Sequence, residues 1–242
     1  EKVKAAAKPG VKTIELDKLA EQLILEAGCQ ISFRTVRDYK WTTCLCVNDV
    51  VVHGLPSEYE LKETDLLGID GGLIKDGLHV DMAETIIIKR HPEFISGSDQ
   101  MLNQVQHDEE EKEKFLEAGM MALEKAIAQA KPGNRIGHIS QAIEETIKMA
   151  GYSVVVNLVG HGVGKTLHED PHIPGVLKKK IEETPEIMVG MTLALEVIYN
   201  LGGPEVAYLN DDGWTISTVD KSLSATFEKS IAVLESGPVI LT

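Results

Sequence analysis

Leu66-Leu67-Gly68-Ile69-Asp70-Gly71-Gly72-Leu73-Ile74-Lys75-Asp76-Gly77-Leu78-His79-Val80-Asp81 decides the reading of this chain. An Asp-Gly pair between two apolar runs is a strong signal for a two-residue hairpin, because the favoured turn needs positive φ at both central residues. With Asp76-Gly77 as the turn, residue 70 opposes residue 83, and Asp81 becomes the diagonal neighbour of Asp70 on the same face. Such neighbours lie about 7–8 Å apart at Cα. Unrelated acids belong on helix faces and turns, whereas an unpaired charge inside an apolar strand is costly. Two carboxylates so placed can converge on divalent ions about 3.5–4 Å apart.

Three further side chains of the same chemistry follow. His161 sits in Gly160-His161-Gly162-Val163-Gly164, Glu196 in Met191-Thr192-Leu193-Ala194-Leu195-Glu196-Val197-Ile198, and Glu228 closes Ser224-Ala225-Thr226-Phe227-Glu228. Carboxylates and imidazole are the donors that hard and borderline divalent ions accept. The glycines around His161 let the backbone approach a ligand closely and leave the ring unblocked for coordination. His168, in His168-Glu169-Asp170-Pro171, is then free for substrate. His53 ends the apolar run Val51-Val52-His53 and reads equally as a core or a functional residue.

The chain also repeats itself. Lys8-Pro9-Gly10 opens an amphipathic stretch ending at Gly28, and Lys131-Pro132-Gly133 opens another ending at Gly151. At an offset of 123 the two 21-residue windows share seven residues, at Lys8, Pro9, Gly10, Glu21, Ile24, Ala27 and Gly28. Each reads as a loop and then a helix closed by a glycine with positive φ. Strand-like runs follow the first at 43–52, 66–73 and 78–88, and the second at 154–159, 192–199, 214–218 and 230–234. Two pseudo-symmetric α/β halves, about 8–89 and 109–242, are expected to face each other across a central sheet in one catalytic domain spanning 1–242. The two aspartates come from the first half and His161, Glu196 and Glu228 from the second. Residues 90–108 lack either period and read as an inserted surface loop, its His91 and His107 solvated, with a charged helix starting near Glu109.

A length of 242 residues with 43% hydrophobic content allows one sizeable core. The net charge of −14 argues against nucleic acid and anionic membranes as partners. No apolar run reaches membrane-spanning length and Glu1-Lys2-Val3-Lys4 carries no signal-peptide core, so a cytoplasmic protein is expected, with residues preceding Glu1. Cys29, Cys44 and Cys46 read as reduced thiols, the last two sharing one strand face.

Taken together, the hairpin aspartates, the Gly160 to Gly164 and His168 to Pro171 motifs, and Asp212-Gly213-Trp214 through Glu228 resemble type I methionine aminopeptidases over nearly the whole chain. The ten residues between Asp70 and Asp81 match that family's spacing. The resemblance implies an α+β pita-bread fold, a curved antiparallel sheet backed by helices with a pseudo-twofold repeat. It also implies two divalent ions (cobalt, manganese, iron or zinc) held by Asp70, Asp81, His161, Glu196 and Glu228. Asp81 and Glu228 would bridge them, and Glu196 would take the proton of the attacking water. His53 and His168 fall on the family's catalytic and substrate-contacting histidines, and Tyr39, Cys44, Leu167 and Trp214 on a methionine pocket. The implied substrates are nascent peptides with N-terminal methionine at the ribosome, cleaved by a monomer. The pattern is broken at Val197, where proline is usual, at Lys229, where histidine is usual, and at Leu167, where an aromatic residue is common. Prolidase and aminopeptidase P relatives share the fold but usually carry a large N-terminal domain and a different last-ligand motif. Type II enzymes need an insertion that the 31 residues between Glu196 and Glu228 cannot hold. An inactive pita-bread binding module would typically have lost ligands, and all five are present.

Overall fold

The computed structural model describes residues 1–89, 99–208 and 210–242, with side chains throughout these except at 99–107. The chain runs through α1 (Lys2–Ala6), α2 (Thr13–Glu26), β1 (Gln30–Ile31), β2 (Thr43–Val47), β3 (Val50–Val52), β4 (Leu66–Lys75) and β5 (Leu78–Ile87). Next come α3 (Asp99–Gln129), α4 (Ile136–Met149), β6 (Ser153–Val154), β7 (Val159–Gly162), β8 (Glu169–Pro174) and β9 (Thr192–Asn200). It closes with β10 (Val206–Tyr208), β11 (Ile216–Thr218), β12 (Ser224–Leu234) and β13 (Gly237–Ile240).

The repeat is visible in the architecture. Helices α2 and α4 begin 123 residues apart, as do β1 and β6. Even the capping recurs: the Lys12 N–H donates to the Glu15 carboxylate and the Arg135 N–H to His138 Nδ1, each at 3.0 Å. Gly28 and Gly151 close the helices at φ +69° and +88°, a region costly for other residues.

The main sheet orders its strands β1-β4-β5-β12-β9-β7-β8, with β2 also on β4, β6 also on β9 and β13 also on β12. Every pairing among the described strands is antiparallel. The halves meet where β5 pairs β12, and the pair β1 and β2 on β4 is answered by β6 and β7 on β9. Strands β10, β11 and β3 form a small second sheet.

One face of β9 and β12 carries Leu193, Leu195, Val197, Tyr199, Phe227, Ile231 and Val233, all buried under α3 and α4 with Phe115, Leu123, Ile139, Ile143 and Ile147. Period-two alternation then sends Glu196 and Glu228 to the opposite face. The Tyr199 hydroxyl donates to the Phe115 carbonyl. Helix and sheet approach so closely here that a Cβ on Gly119 would come 2.5 Å from the Tyr199 hydroxyl and the Phe227 ring. Helix α2 packs Leu16 against Leu45, Leu61, Leu67 and Ile88.

Several elements differ from the sequence reading. The run expected over 43–52 is two strands in different sheets, because Asn48 turns the chain at φ +53°. Only the ends of 154–159 join strands, and 230–234 is the far end of the longer β12, whose first residues alternate polar with apolar. The loop expected over 90–108 is helical from Asp99, since nothing between Asp99 and Glu109 breaks a helix. Residues 90–98, including His91, and the side chain of His107 lie outside the described residues. Val197 does not disturb its strand, and the β9–β12 register runs unbroken from Ser224–Asn200 to Ala232–Thr192.

Because Phe115 is fully buried in this core, Phe115→Ala is expected to cost about 3–5 kcal/mol in urea unfolding. Leu25→Ala, at a side chain 54% exposed on α2, is expected to change stability by less than about 0.5 kcal/mol.

Candidate metal centre

The hairpin forms as read, with Asp76 and Gly77 at φ +53° and +79° and Asp70 opposite Ala83. From there one row crosses the sheet: Cys44 opposes Asp70, Asp70 opposes Ala83, Ala83 opposes Glu228 and Glu228 opposes Glu196. Directly opposed residues of antiparallel strands share a face, so the row presents its side chains together. Ala83 keeps the middle of the row small. Asp81 stands two residues along β5 from Ala83, and His161 opposes Ala194, two residues along β9 from Glu196. Both therefore join the same face.

Ligand atoms of Asp81, His161 and Glu228 lie within 4.8 Å of one another, and all three residues are buried. Glu196 Oε1 is 3.4 Å from His161 Nε2. His161 Nδ1 lies 2.8 Å from the Gly162 carbonyl, which can only accept, so this nitrogen carries the proton and Nε2 keeps its lone pair. Asp81 is anchored through its backbone: its N–H donates to Ser230 Oγ, and that hydroxyl donates back to the Asp81 carbonyl, both at 2.8 Å. Asp70 Oδ1 and Glu228 Oε1 are buried without a hydrogen-bond partner among the described residues.

Burial dominates the electrostatics. It pushes Asp81 up to about 7. Glu196 rises to about 8, with the Asp81 charge adding to burial. Asp70 and Glu228 are raised well above the usual carboxylate range by burial and then by their acidic neighbours. Burial drives His161 down to about 4, so its contact with Glu196 is not an ion pair in the metal-free chain. Partnerless buried carboxylate oxygens beside a free imidazole lone pair are what a divalent cation would satisfy, and the oxygen–nitrogen donor set suits borderline metals.

These groups line a cavity of about 150 Å³ together with His53, His168, Tyr39, Cys44, Leu167 and Trp214, so the candidate ligands, the two candidate histidines and the candidate pocket residues face one cavity. Tyr39 donates to the Thr43 carbonyl at 2.7 Å and meets Cys44 Sγ at 3.2 Å. Cys44 stands opposite Asp70 in the β2–β4 pairing, so the pocket wall and the acidic row meet there. Trp214 stands edge-on to Tyr39, ring centroids 5.0 Å apart, and 6.4 Å from His53. The His168 ring lies 4.6 Å from that of His161. Burial lowers the pKa of His53 and His168, which are neutral near pH 7. His53 holds φ +56°, a conformation uncommon outside glycine and worth about 1–3 kcal/mol when enforced at a functional position.

Sequence reading missed four lining residues, Phe33, Val36, Val52 and Thr226. Thr226 was findable, standing two residues before Glu228 on the same strand face; Phe33 and Val36 carry no such periodic signal. The glycines beside His161 also have a different purpose from the one expected. A Cβ on Gly160 would come 2.5 Å from the Ala194 carbonyl oxygen, and one on Gly162 2.3 Å from that of Asp170. They let β7 squeeze between its neighbours, and the open approach to His161 is a by-product.

The model of metallopeptidase family M24 matches residues 1–235. The methionine aminopeptidase of Clostridium perfringens is 37% identical over 240 residues, covering 99% of this chain and 88% of that protein. Methionine aminopeptidase 1 of Bacillus subtilis is 38% identical over 242 residues, covering 100% and 90%. Among solved structures, methionine aminopeptidase from Thermotoga maritima superposes with a TM-score of 0.87 at 35% identity, covering 100% of this chain and 89% of that one. A prolidase from Pyrococcus horikoshii shares the fold at 21% identity and a TM-score of 0.68, covering 100% of this chain and 58% of that one. The architecture is thus the pita-bread fold expected from the sequence, and the chain belongs to metallopeptidase family M24.

Proposed function

We propose that this chain is a methionine aminopeptidase that hydrolyses the first peptide bond of polypeptides beginning with methionine. The observation that carries the reading is the shared cavity. Its floor is the row of buried carboxylates with His161, and its wall is the apolar cup of Phe33, Tyr39, Cys44, Leu167 and Trp214. A cup with rings and a thiol suits a thioether side chain, which packs well against both. Leu167 is buried in that wall and keeps it apolar where an aromatic residue is common.

Asp70, Asp81, His161, Glu196 and Glu228 would hold two divalent ions. Bound divalent ions supply Lewis acidity, polarising the scissile carbonyl and lowering the pKa of water towards neutrality. Glu196, beside His161 and facing the cavity, takes a proton from the attacking water and returns it to the leaving amine as the carbon–nitrogen bond breaks. His53 and His168, neutral and on the cavity wall, each offer one N–H to the amide region and to the charge developing on its oxygen. The pocket seats the methionine side chain, so the first residue alone is released.

The substrates are nascent polypeptides, met in the cytoplasm at the ribosome by a monomeric enzyme that does not bind nucleic acid itself. The net charge of −14 supports the last point. Among the described residues no helix is long and apolar enough to cross a membrane. The two halves, 8–89 and 109–242, act as one catalytic domain, since each contributes donors to one row.

Chelator-stripped protein given manganese or cobalt is expected to release free methionine from Met-Ala-Ser and to leave an Ala-Pro-starting peptide intact; cleavage only before proline would move the assignment to the proline peptidases. Asp81→Ala and Glu228→Ala should each lower bound metal, read by elemental analysis, and reduce kcat/KM by more than about 10²-fold. The stripped protein should also have a distinctive pH profile. Asp81 and Glu196 rise on folding from 3.8 and 4.5 to about 7 and about 8. Their protonated forms favour the folded state, and that contribution is full below the unfolded values and disappears as pH climbs through the folded ones. Calorimetry should therefore show Tm falling between about pH 5 and about pH 8 without metal, and saturating manganese should abolish the fall.

A further inference from the structure

His79 is a buried histidine that neither the donor row nor the cavity wall uses. It lies near the start of β5, and its Nδ1 sits 2.7 Å from Oγ of the fully buried Ser32. Its backbone N–H donates to the Gly164 carbonyl at 2.7 Å. Gly164 belongs to the turn that leaves β7 just after His161 and enters β8 just after His168. That turn is knotted on itself. The Gly164 N–H donates to the Thr166 carbonyl at 3.1 Å, the Thr166 N–H to Glu169 Oε1 at 2.8 Å, and the Thr166 hydroxyl to the His168 carbonyl at 3.1 Å.

A body so knotted moves as a unit, and its placement depends on what fastens it. Within the second half, the Val163 N–H donates to the Thr192 carbonyl at 3.1 Å. From the first half the fastening is His79. Ser32 backs the imidazole and is itself held by its N–H to the Gly72 carbonyl at 3.1 Å, where a Cβ on Gly72 would come 2.9 Å from the Ser32 Cβ.

Resting on the methionine aminopeptidase reading, we propose that Ser32 and His79 are a positioning pair for His168, holding the 163–168 turn so that the His168 ring stands against His161 in the cavity. The pair acts on hydrolysis through His168 and holds no metal. A core histidine satisfied by a neighbouring serine would serve stability alone and would not be coupled to His168.

The test is a double-mutant cycle on methionine release from Met-Ala-Ser, with metal stoichiometry measured for each protein. His79→Ala and Ser32→Ala are expected to lower kcat about 10- to 100-fold at wild-type metal content. Combined with His168→Ala, each should add nothing to the loss that His168→Ala causes alone. Additive losses, unchanged kcat in the single variants, or lost metal would overturn the inference while leaving the activity of the wild-type protein standing. Absence of methionine release by the wild-type protein would overturn the underlying reading, and this inference with it. Should His79→Ala fail to fold, Ser32→Ala removes a single hydroxyl and carries the same cycle.

Discussion

Four carboxyl groups and an imidazole taken out of water on one face of a sheet set the terms for everything else in this molecule. Each buried carboxylate is expensive unless a cation or a proton compensates it, and among the described residues no lysine or arginine lines the cavity to do so. The raised pKa values are the cost of that arrangement without metal, and the partnerless oxygens of Asp70 and Glu228 show that surrounding hydrogen bonds do not offset it. The fold spends its polar groups on placement instead. Ser230 grips the Asp81 backbone on both sides, leaving its carboxylate to face the cavity.

Strand register is the device that assembles the row. A strand slipped by one residue would turn its side chain to the helix-covered face, where Leu195, Val197 and Phe227 are packed against α3 and α4. The apolar core and the polar row are therefore two consequences of one alternation. Strong burial on one face pins the register, and the pinned register aims the acids on the other. The pseudo-twofold adds economy: two similar helix-and-strand units dock along β5 and β12, and the row runs across that seam.

How much of this was legible follows from the range of each signal. The Asp76-Gly77 turn is local, and it gave the Asp70–Ala83 register correctly. The repeat was legible because a glycine-closed helix has a strong short pattern, and the observed helices hold its 123-residue offset. The five donors could be picked out one by one, since an acid inside an apolar run is anomalous wherever it occurs. The pairing of β5 with β12 was not legible; it depends on packing between segments some 150 residues apart, and no local pattern carries it. Nor was the length of β12. Ser224, Thr226 and Glu228 make its first turns of the pleat look polar, and that polarity belongs to the site. The start of α3 was missed for the opposite reason: a stretch without amphipathic period can still be helical when nothing in it forbids a helix.

The two sides of the cavity owe their rigidity to different causes, and this bears on how catalysis and specificity can vary separately. The donors stand on β4, β5, β7, β9 and β12, in the middle of a sheet backed by helices, where geometry is held by ladders on both sides. The pocket wall comes from the short helical turn at Phe33, the strand end at His53 and the loop carrying Trp214, which is held by Asp212 accepting from the Trp214 and Thr215 N–H groups at 2.8 Å. Substitutions in such loops can reshape the cup without disturbing the row. Leu167 fits that logic, for it alters the wall while all five donors stay in place. His168 occupies the boundary, borne on a turn rather than a strand yet required to stand against His161. A residue with catalytic demands and loop support needs an outside anchor, and the contact from His79 to Gly164 spans the two halves of the molecule at that point.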